Sequence, residues 1–304
     1  MTRAQQAHRA EWATRPERSS MLVLRLMVWL SLKLGRRLSR LILYPIAAYF
    51  VVFAPSAKRA SKAFLGRALG RTARVKDGFR HVLTFASVVH DRVYWLRGRN
   101  DLFDITVSGE HHIAALRQQG RGIVFAGGHF GSFEALRVIG ERHGVDAKML
   151  MFPDNARKVT AALTAINPAL ADSVIALGRP ESVLRVRDHL ESGGSVGILA
   201  DRMLEGDKCR EVAFLGQPAP FPIGPWRLAS MLGAPVVFMA GCYLGGNRYH
   251  LVFEPVVDFA QVSPQQRTAA IDAAQQRFAA LLEARCHEAP WNWFNFYDFW
   301  NNPT

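Results

Sequence analysis

The sequence predicts an α/β protein: a mixed, mostly parallel sheet flanked by helices, with apolar, membrane-associating helices at the N-terminal side. Three observations lead there. Short apolar runs alternate with segments of helical periodicity along most of the chain, which is the pattern of βαβ units. A hairpin signal joins only one pair of runs, so most strands must be connected through helices and run parallel. Two apolar segments, Met21 to Leu34 and Leu41 to Ala54, stand apart from that alternation. At 304 residues the chain can bury a full α/β core in one domain.

Taken in order, residues 1–20 are polar and basic and read as a flexible tail. Residues 21–76 read as a membrane-associating helical segment. Its first apolar run carries Arg25 and Lys33, and Arg36, Arg37 and Arg40 follow it. The second run carries no charge but is short for a span of about 20 residues, and Pro45 interrupts it. Two helices dipping into one leaflet fit this better than a clean crossing, and a single tilted span is the alternative. The apolar run lies too far along the chain, without a cleavage site, for a signal peptide. Lys58, Arg59, Lys62, Arg67, Arg71, Arg74 and Lys76 then form a basic stretch. Such residues add about 1 kcal/mol each at an anionic lipid surface and favour the cytoplasmic side; a solvated charged helix is the plainer reading.

Residues 77–304 read as the α/β domain. Candidate strands are Phe103–Gly109, Gly122–Gly128, Asp146–Phe152, Val174–Gly178, Ser195–Asp201, Pro235–Leu244 and Arg248–Val257. Gly245-Gly246-Asn247 makes the last two a hairpin, so the sheet should carry an antiparallel pair near one side. Helical periodicity covers Phe133–Glu141, Pro180–Glu191, Gly224–Leu232 and Ser263–Glu288, the last with Ile271, Phe278, Leu281 and Leu282 facing inward. His111-His112 has no ligand partner at useful spacing and reads as the exposed start of a helix capped by Ser108.

The net charge of +13 suits either nucleic acid or an anionic membrane face. No zinc spacing, RNA-binding signature or helix-turn-helix pattern accompanies it, so nucleic acid is not an expected partner. The three cysteines are odd in number and scattered, which fits neither a disulfide framework nor a metal site and suggests a reducing compartment.

The segment that carries chemistry is Gly127-Gly128-His129-Phe130-Gly131-Ser132-Phe133-Glu134. It follows the apolar run Gly122–Ala126, so His129 should lie on a loop at a strand's carboxyl end, where open α/β sheets place ligands. Glu134 should sit about a turn into the next helix, and the two side chains can meet only if the chain folds back at His129. A carboxylate on one imidazole nitrogen would fix the tautomer and free the other nitrogen to take a proton from a hydroxyl. A plain tight turn is the alternative. Asp201 also ends an apolar strand, where a turn-forming Asp is a common use. Phe221-Pro222-Ile223-Gly224-Pro225 should open a helix whose amides bind a carbonyl or phosphate, or simply begin it.

On these residues the chain resembles the glycerolipid acyltransferase superfamily, and most closely its lipid A late acyltransferase branch, whose histidine motif ends in Glu. The resemblance runs through Gly197-Ile198-Leu199-Ala200-Asp201-Arg202, Glu211 to Gly216, Pro218-Ala219-Pro220 and Ile223-Gly224-Pro225 to Gly233-Ala234-Pro235, and covers roughly residues 20 to 300. It implies transfer of an acyl chain from an acyl carrier protein, or second from acyl-CoA, to a hydroxyl of a membrane lipid or glycolipid. His129 would be the base and Glu134 its orienting partner, with no metal or bound cofactor. The setting would be the cytoplasmic face of a bacterial inner membrane. Gly128, Asp201, Arg202, Arg157 and Gly224 are the residues expected near substrate. Two departures stand out. The family's Asp-Gln is Asp201-Arg202 here, and its Tyr-Arg-Pro is Met151-Phe152-Pro153, so Arg157 or Arg202 would have to supply the positive charge on the reacting carbonyl.

The tail, residues 291–300, holds seven aromatic side chains in ten positions. Docking onto the core and an interfacial aromatic belt are its two readings. Its form looks like members found with aryl-polyene or related pigment-lipid synthesis. A thioesterase using the same dyad on water is a second enzymatic reading, though no Gly-x-Ser-x-Gly elbow is present. A membrane-docked protein that keeps only the fold is a non-enzymatic one.

Overall fold

The computed structural model describes residues 21–142, 144–153, 164, 166–170, 172–203 and 208–301. The expected tail at 1–20 and Arg157 lie outside them. The main sheet has seven strands: β1 (Asp104–Ser108), β2 (Ile123–Gly131), β3 (Ala147–Met151), β4 (Val174–Ala176), β5 (Ser195–Leu199), β8 (Pro235–Gly245) and β9 (Arg248–Asp258). Their order is β1-β9-β8-β2-β5-β3-β4. All pairings are parallel except the β8–β9 hairpin, so β1 and β9 run against the other five. The mixed, mostly parallel sheet and its antiparallel pair toward one side are as the sequence predicts.

Strand β2 lies at the centre, between β8 and β5. Because alternate side chains leave a strand on opposite faces, its apolar run feeds two cores. Val124 and Ala126 join one cluster with Phe238, Phe278, Leu282 and Trp293. Ile123 and Phe125 join the other with Val88, Trp95, Leu136 and Met239. Helices α3 (Pro55–Ala68), α7 (Pro180–Glu191), α8 (Gly224–Met231) and α9 (Arg267–Glu288) contribute to the first; α4 (Val75–Trp95), α5 (Glu110–Gln118) and α6 (Phe133–Arg142) contribute to the second. The result is three layers with the sheet in the middle.

Three differences from the sequence reading have physical causes. A second, two-stranded sheet pairs β6 (Cys209–Phe214) with β7 (Gln217–Pro222). Its prolines, Pro218, Pro220 and Pro222, face Ala213, Glu211 and Cys209. Proline cannot donate, so these are the non-hydrogen-bonded pairs and the ladder loses nothing. Its turn places Leu215 (φ 51°) and Gly216 (φ 80°) in the left-handed region, which leucine rarely enters. Helix α5 begins at Glu110 after Gly109 rather than with a Ser108 cap, and the Ser108 hydroxyl pairs with His250 Nε2 at 2.8 Å instead.

The third difference concerns the N-terminal segment. It comprises α1 (Met21–Ser39), bent at Gly35, α2 (Leu43–Phe53) and α3. No single described helix is long and apolar enough to cross a membrane, although Val28–Phe53 and Pro55–Ala68 together pass on length and composition with a 97° bend between them. Leu41, Tyr44, Tyr49, Val52 and Phe53 are exposed. Yet α3 sends Phe64, Leu65 and Ala68 into the main core. Arg36 on α1 grips Asp91 of α4 through Nε at 2.8 Å and Nη2 at 2.7 Å, and the Tyr249 hydroxyl donates to the same fully buried carboxylate at 2.8 Å. Burial works against charge on Asp91, but His90 and Arg36 together hold its carboxyl below the usual carboxylate range. Removing one partner of such a buried pair costs about 3–5 kcal/mol.

Candidate active site

The β2–β5 register carries a constant offset of 72, from Ile123 opposite Ser195 to Gly127 opposite Leu199. Continued by two residues, it sets His129 beside Asp201. On its other side β2 breaks register: Gly127 faces Met239 but Gly131 faces Gly241, so four residues of β2 are spent against two of β8. The bulge contains Gly128, His129 and Phe130, and bulges of this kind re-aim a side chain out of the ladder. Gly131 closes it at φ 63°, where a Cβ would sit 1.8 Å from the Gly241 carbonyl oxygen, so only glycine fits. A Cβ on Gly128 would press on Asp201 Oδ2 and Leu282 at 3.2 Å. This glycine clears room for the carboxylate.

Asp201 is wholly buried and accepts three hydrogen bonds. The His129 backbone N–H reaches Oδ2 at 2.8 Å, His129 Nδ1 pairs with Oδ1 at 2.8 Å, and Trp293 Nε1 donates to Oδ2 at 2.8 Å. Burial alone would neutralise this carboxyl, but the His129 ring, the Arg202 charge and the His129 backbone N–H hold it well below the usual carboxylate range. An ionised carboxylate only accepts, so Nδ1 carries the ring proton and Nε2 is left as a proton acceptor. Burial, and then the nearby Arg202 charge, push the His129 pKa down against the opposing pull of Asp201. The ring is therefore neutral at neutral pH. Its side chain keeps 30% of its surface open, onto a cavity of about 320 Å³.

Glu134 does not fill the place expected of it. Strand β2 runs on through His129 to Gly131 instead of folding back, and the Ser132 hydroxyl accepts from the Ala135 N–H at the start of α6. Glu134 then lies in the first turn of α6, buried, with Oε1 2.5 Å from Arg92 Nε of α4. The carboxylate on His129 Nδ1 is Asp201, 72 residues away in the chain.

Of the other expected residues, Arg202 lines the His129 cavity, donates from Nη2 to the Phe294 carbonyl at 2.8 Å and lies 5.6 Å from the Tyr297 ring centre. Gly128 lines the same cavity. Gly224 opens α8, where a Cβ would meet nothing within 4 Å, and lines neither this cavity nor its neighbour. That neighbour, of about 390 Å³, is mainly apolar and shares Phe133, Leu136 and Met239 with the His129 cavity. Among the described residues, no three His, Cys, Asp or Glu side chains converge as a metal ion would require.

Trp293 and His81 are the participants that residue reasoning did not single out. The aromatic tail docks onto the core and extends β2: Gly131 N–H donates to the Asn292 carbonyl at 2.9 Å, and Phe294 N–H donates to the His129 carbonyl at 2.8 Å. Trp293 is almost fully buried, with Phe64, Phe214 and Phe299 edge-on to it. Its carbonyl accepts from His81 Nε2 at 2.8 Å, which leaves His81 Nδ1 to accept from the Ser61 hydroxyl at 2.8 Å.

A profile of the bacterial lipid A biosynthesis acyltransferase family matches residues 19–302. The chain belongs to that family. It is accordingly an O-acyltransferase of lipid biosynthesis, and the acyl acceptor is a lipid. No curated protein matches the chain. Within this acyltransferase, His129-Phe130-Gly131-Ser132-Phe133-Glu134 forms the end of the central strand and the start of α6, and the aromatic tail near the end of the matched region donates to Asp201 through Trp293.

The His81 clamp gives a pH test. Complete burial lowers the His81 pKa to about 4, the bond to the Trp293 carbonyl opposing only in part. The unfolded chain takes up this proton below about pH 6.5 while the folded one refuses it. Stability from the neutral ring is therefore full above pH 6.5 and falls as pH drops toward 4, by about 3 kcal/mol in all. Urea midpoints across that window should fall more steeply for wild type than for His81→Gln, which cannot titrate. Equal slopes would contradict the assignment.

Proposed function

We propose that this acyltransferase moves an acyl chain from a thioester to a hydroxyl of a membrane lipid or glycolipid, with His129 as general base and Asp201 as the carboxylate that orients it. The observation that carries the reading is the tautomer: Nδ1 is committed to a buried carboxylate, which leaves Nε2 the proton acceptor of a ring open to the cavity. The acceptor hydroxyl oxygen attacks the thioester carbonyl carbon as Nε2 takes its proton. The tetrahedral oxyanion collapses, the C–O bond is kept, the C–S bond breaks, and the imidazolium returns the proton to the departing thiolate. Asp201 stabilises the imidazolium between these steps. Arg202 lines the cavity and supplies the positive charge near the oxyanion. The adjoining apolar cavity takes the acyl chain past Phe133, Leu136 and Met239; a fatty or an aryl-polyene chain is of the right chemistry.

An acyl carrier protein is the donor we favour, with acyl-CoA second, because the basic balance of the chain suits an acidic carrier. Residues 21–54, with the exposed apolar residues of α2 and the basic stretch beside it, hold the enzyme at the cytoplasmic face of a bacterial inner membrane. Hydrolysis is the rival outcome. Water stands at about 55 M, and an oriented hydroxyl can reach effective molarities of about 10⁵ M or more, so an acceptor site decides between them.

Acyl-carrier thioester incubated with and without membrane lipid extract should give a labelled lipid only when lipid is present, with slow release of free acid otherwise. Free acid dominating both reactions would favour a thioesterase. His129→Ala should lower the rate by more than about 100-fold, with Asp201→Asn also strongly impaired. Because the His129 pKa is depressed, the acid limb of the rate profile should lie below about pH 6.5. A limb above that value contradicts the neutral base.

The membrane reading has its own check. Val52→Lys with Phe53→Lys places two charges in the exposed apolar face of α2 without touching the core. This variant should lose flotation with anionic vesicles at high salt, where the basic stretch is screened. Unchanged flotation would remove α2 as the anchor.

A further inference from the structure

Arg92 is an unusual lining residue for the His129 cavity. Around it the wall from α4 and the tail is apolar, formed by Phe85, Val88, Val89, Phe294 and Phe296. Among the described residues, it is the one charged side chain that α4 and the tail contribute to this cavity. Its partner is Glu134, whose side chain is 7% exposed while that of Arg92 is 44% exposed. Glu134 spends Oε1 on the Nε of Arg92, and Oε2 is buried with no hydrogen bond. A buried carboxylate that is only half satisfied contributes little to stability. What it does is hold the arginine by its inner nitrogen.

That grip leaves the outer edge of the guanidinium uncommitted. Among the described residues, no hydrogen bond or ion pair other than the one with Glu134 engages the Arg92 side chain. Arg202, the other cation on this cavity, already donates to the Phe294 carbonyl. The outer N–H groups of an arginine form a planar fork that matches two oxygens of a phosphate. Neither Glu134 nor Arg92 bonds to His129, so neither is needed to set its tautomer.

We propose that Arg92 is a phosphate-binding residue of the His129 cavity and that Glu134 is its positioning residue. This rests on the reading of the cavity as the site of acyl transfer. Two substrates of that reaction can bear a phosphate: a phospholipid or phosphorylated glycolipid acceptor, and a donor whose thioester is carried on phosphopantetheine. The shared chemistry is a phosphate seated on Arg92 while the reacting group lies beside His129.

The test uses the full chain and ligands that are not turned over, so it stands even if the enzyme proves to be a hydrolase. Binding is measured for dihexanoyl phosphatidate against dihexanoylglycerol, and for 4′-phosphopantetheine against pantetheine. At least one phosphorylated probe should bind about tenfold or more tightly than its neutral twin, the range of a charge-assisted hydrogen-bond pair. A preference in the lipid pair assigns the phosphate to the acceptor, and one in the pantetheine pair assigns it to the donor. Arg92→Lys should keep part of the preference. Arg92→Gln combined with Glu134→Gln removes both charges, leaves none buried alone, and should abolish it. Glu134→Gln alone should weaken it severalfold by freeing the arginine. No preference in wild type for either pair, or a preference that survives the double substitution, overturns the proposal.

Discussion

A carboxylate with no exposed surface stays ionised only if fixed donors replace the water it has lost. Asp201 meets that condition with donors from two distant parts of the chain: the bulge at the end of β2 gives the His129 backbone and ring, and the tail gives the Trp293 indole. Each element is shaped to this end. The 72-residue register sets the acid beside the base, Gly128 leaves the acid room, and Gly131 lets the bulge close against Gly241. The tail is not an ornament on a finished domain. Without Trp293 the buried oxygen Oδ2 would keep only the backbone N–H of His129, and the edge of β2 beyond the bulge would lack its partner.

The same buried network ties the N-terminal helices to the active site. Ser61 and Phe64 of α3 meet His81 and Trp293, so the helix that follows the exposed apolar segment also braces the residue that braces Asp201. Arg36 and Asp91 fasten α1 to α4, the helix that carries Arg92 into the cavity wall. The exposed apolar residues of α2 and the wall of the His129 cavity therefore share their supports.

Much of this fold can be read from the sequence because burial on both faces of a parallel sheet demands unbroken apolar runs. Each of the seven strands of the main sheet lies on its expected run, and α7 spans Pro180–Glu191 as its periodicity and opening proline indicate. The position of His129 at a glycine-flanked strand end is also legible. Its partner is not. Glu134 is the local acid, and nothing in the spacing reveals that β2 stays extended through Gly131 and turns that acid toward α4. Asp201 is visible as a strand-end acid, but the register that brings it to His129 is a long-range property. The β6–β7 hairpin escaped notice because its prolines and its Leu215-Gly216 turn imitate a loop.

Asp201, and not Glu134, is the carboxylate on the His129 ring. Nitrogen NMR of the ¹⁵N-labelled histidine ring, titrated in wild type, Asp201→Asn and Glu134→Gln, reads that pairing. Wild type should show a neutral ring protonated on Nδ1, titrating below the ordinary histidine range. Glu134→Gln should leave tautomer and titration unchanged, and Asp201→Asn should disturb both. A ring unaffected by Asp201→Asn and altered by Glu134→Gln would contradict the account.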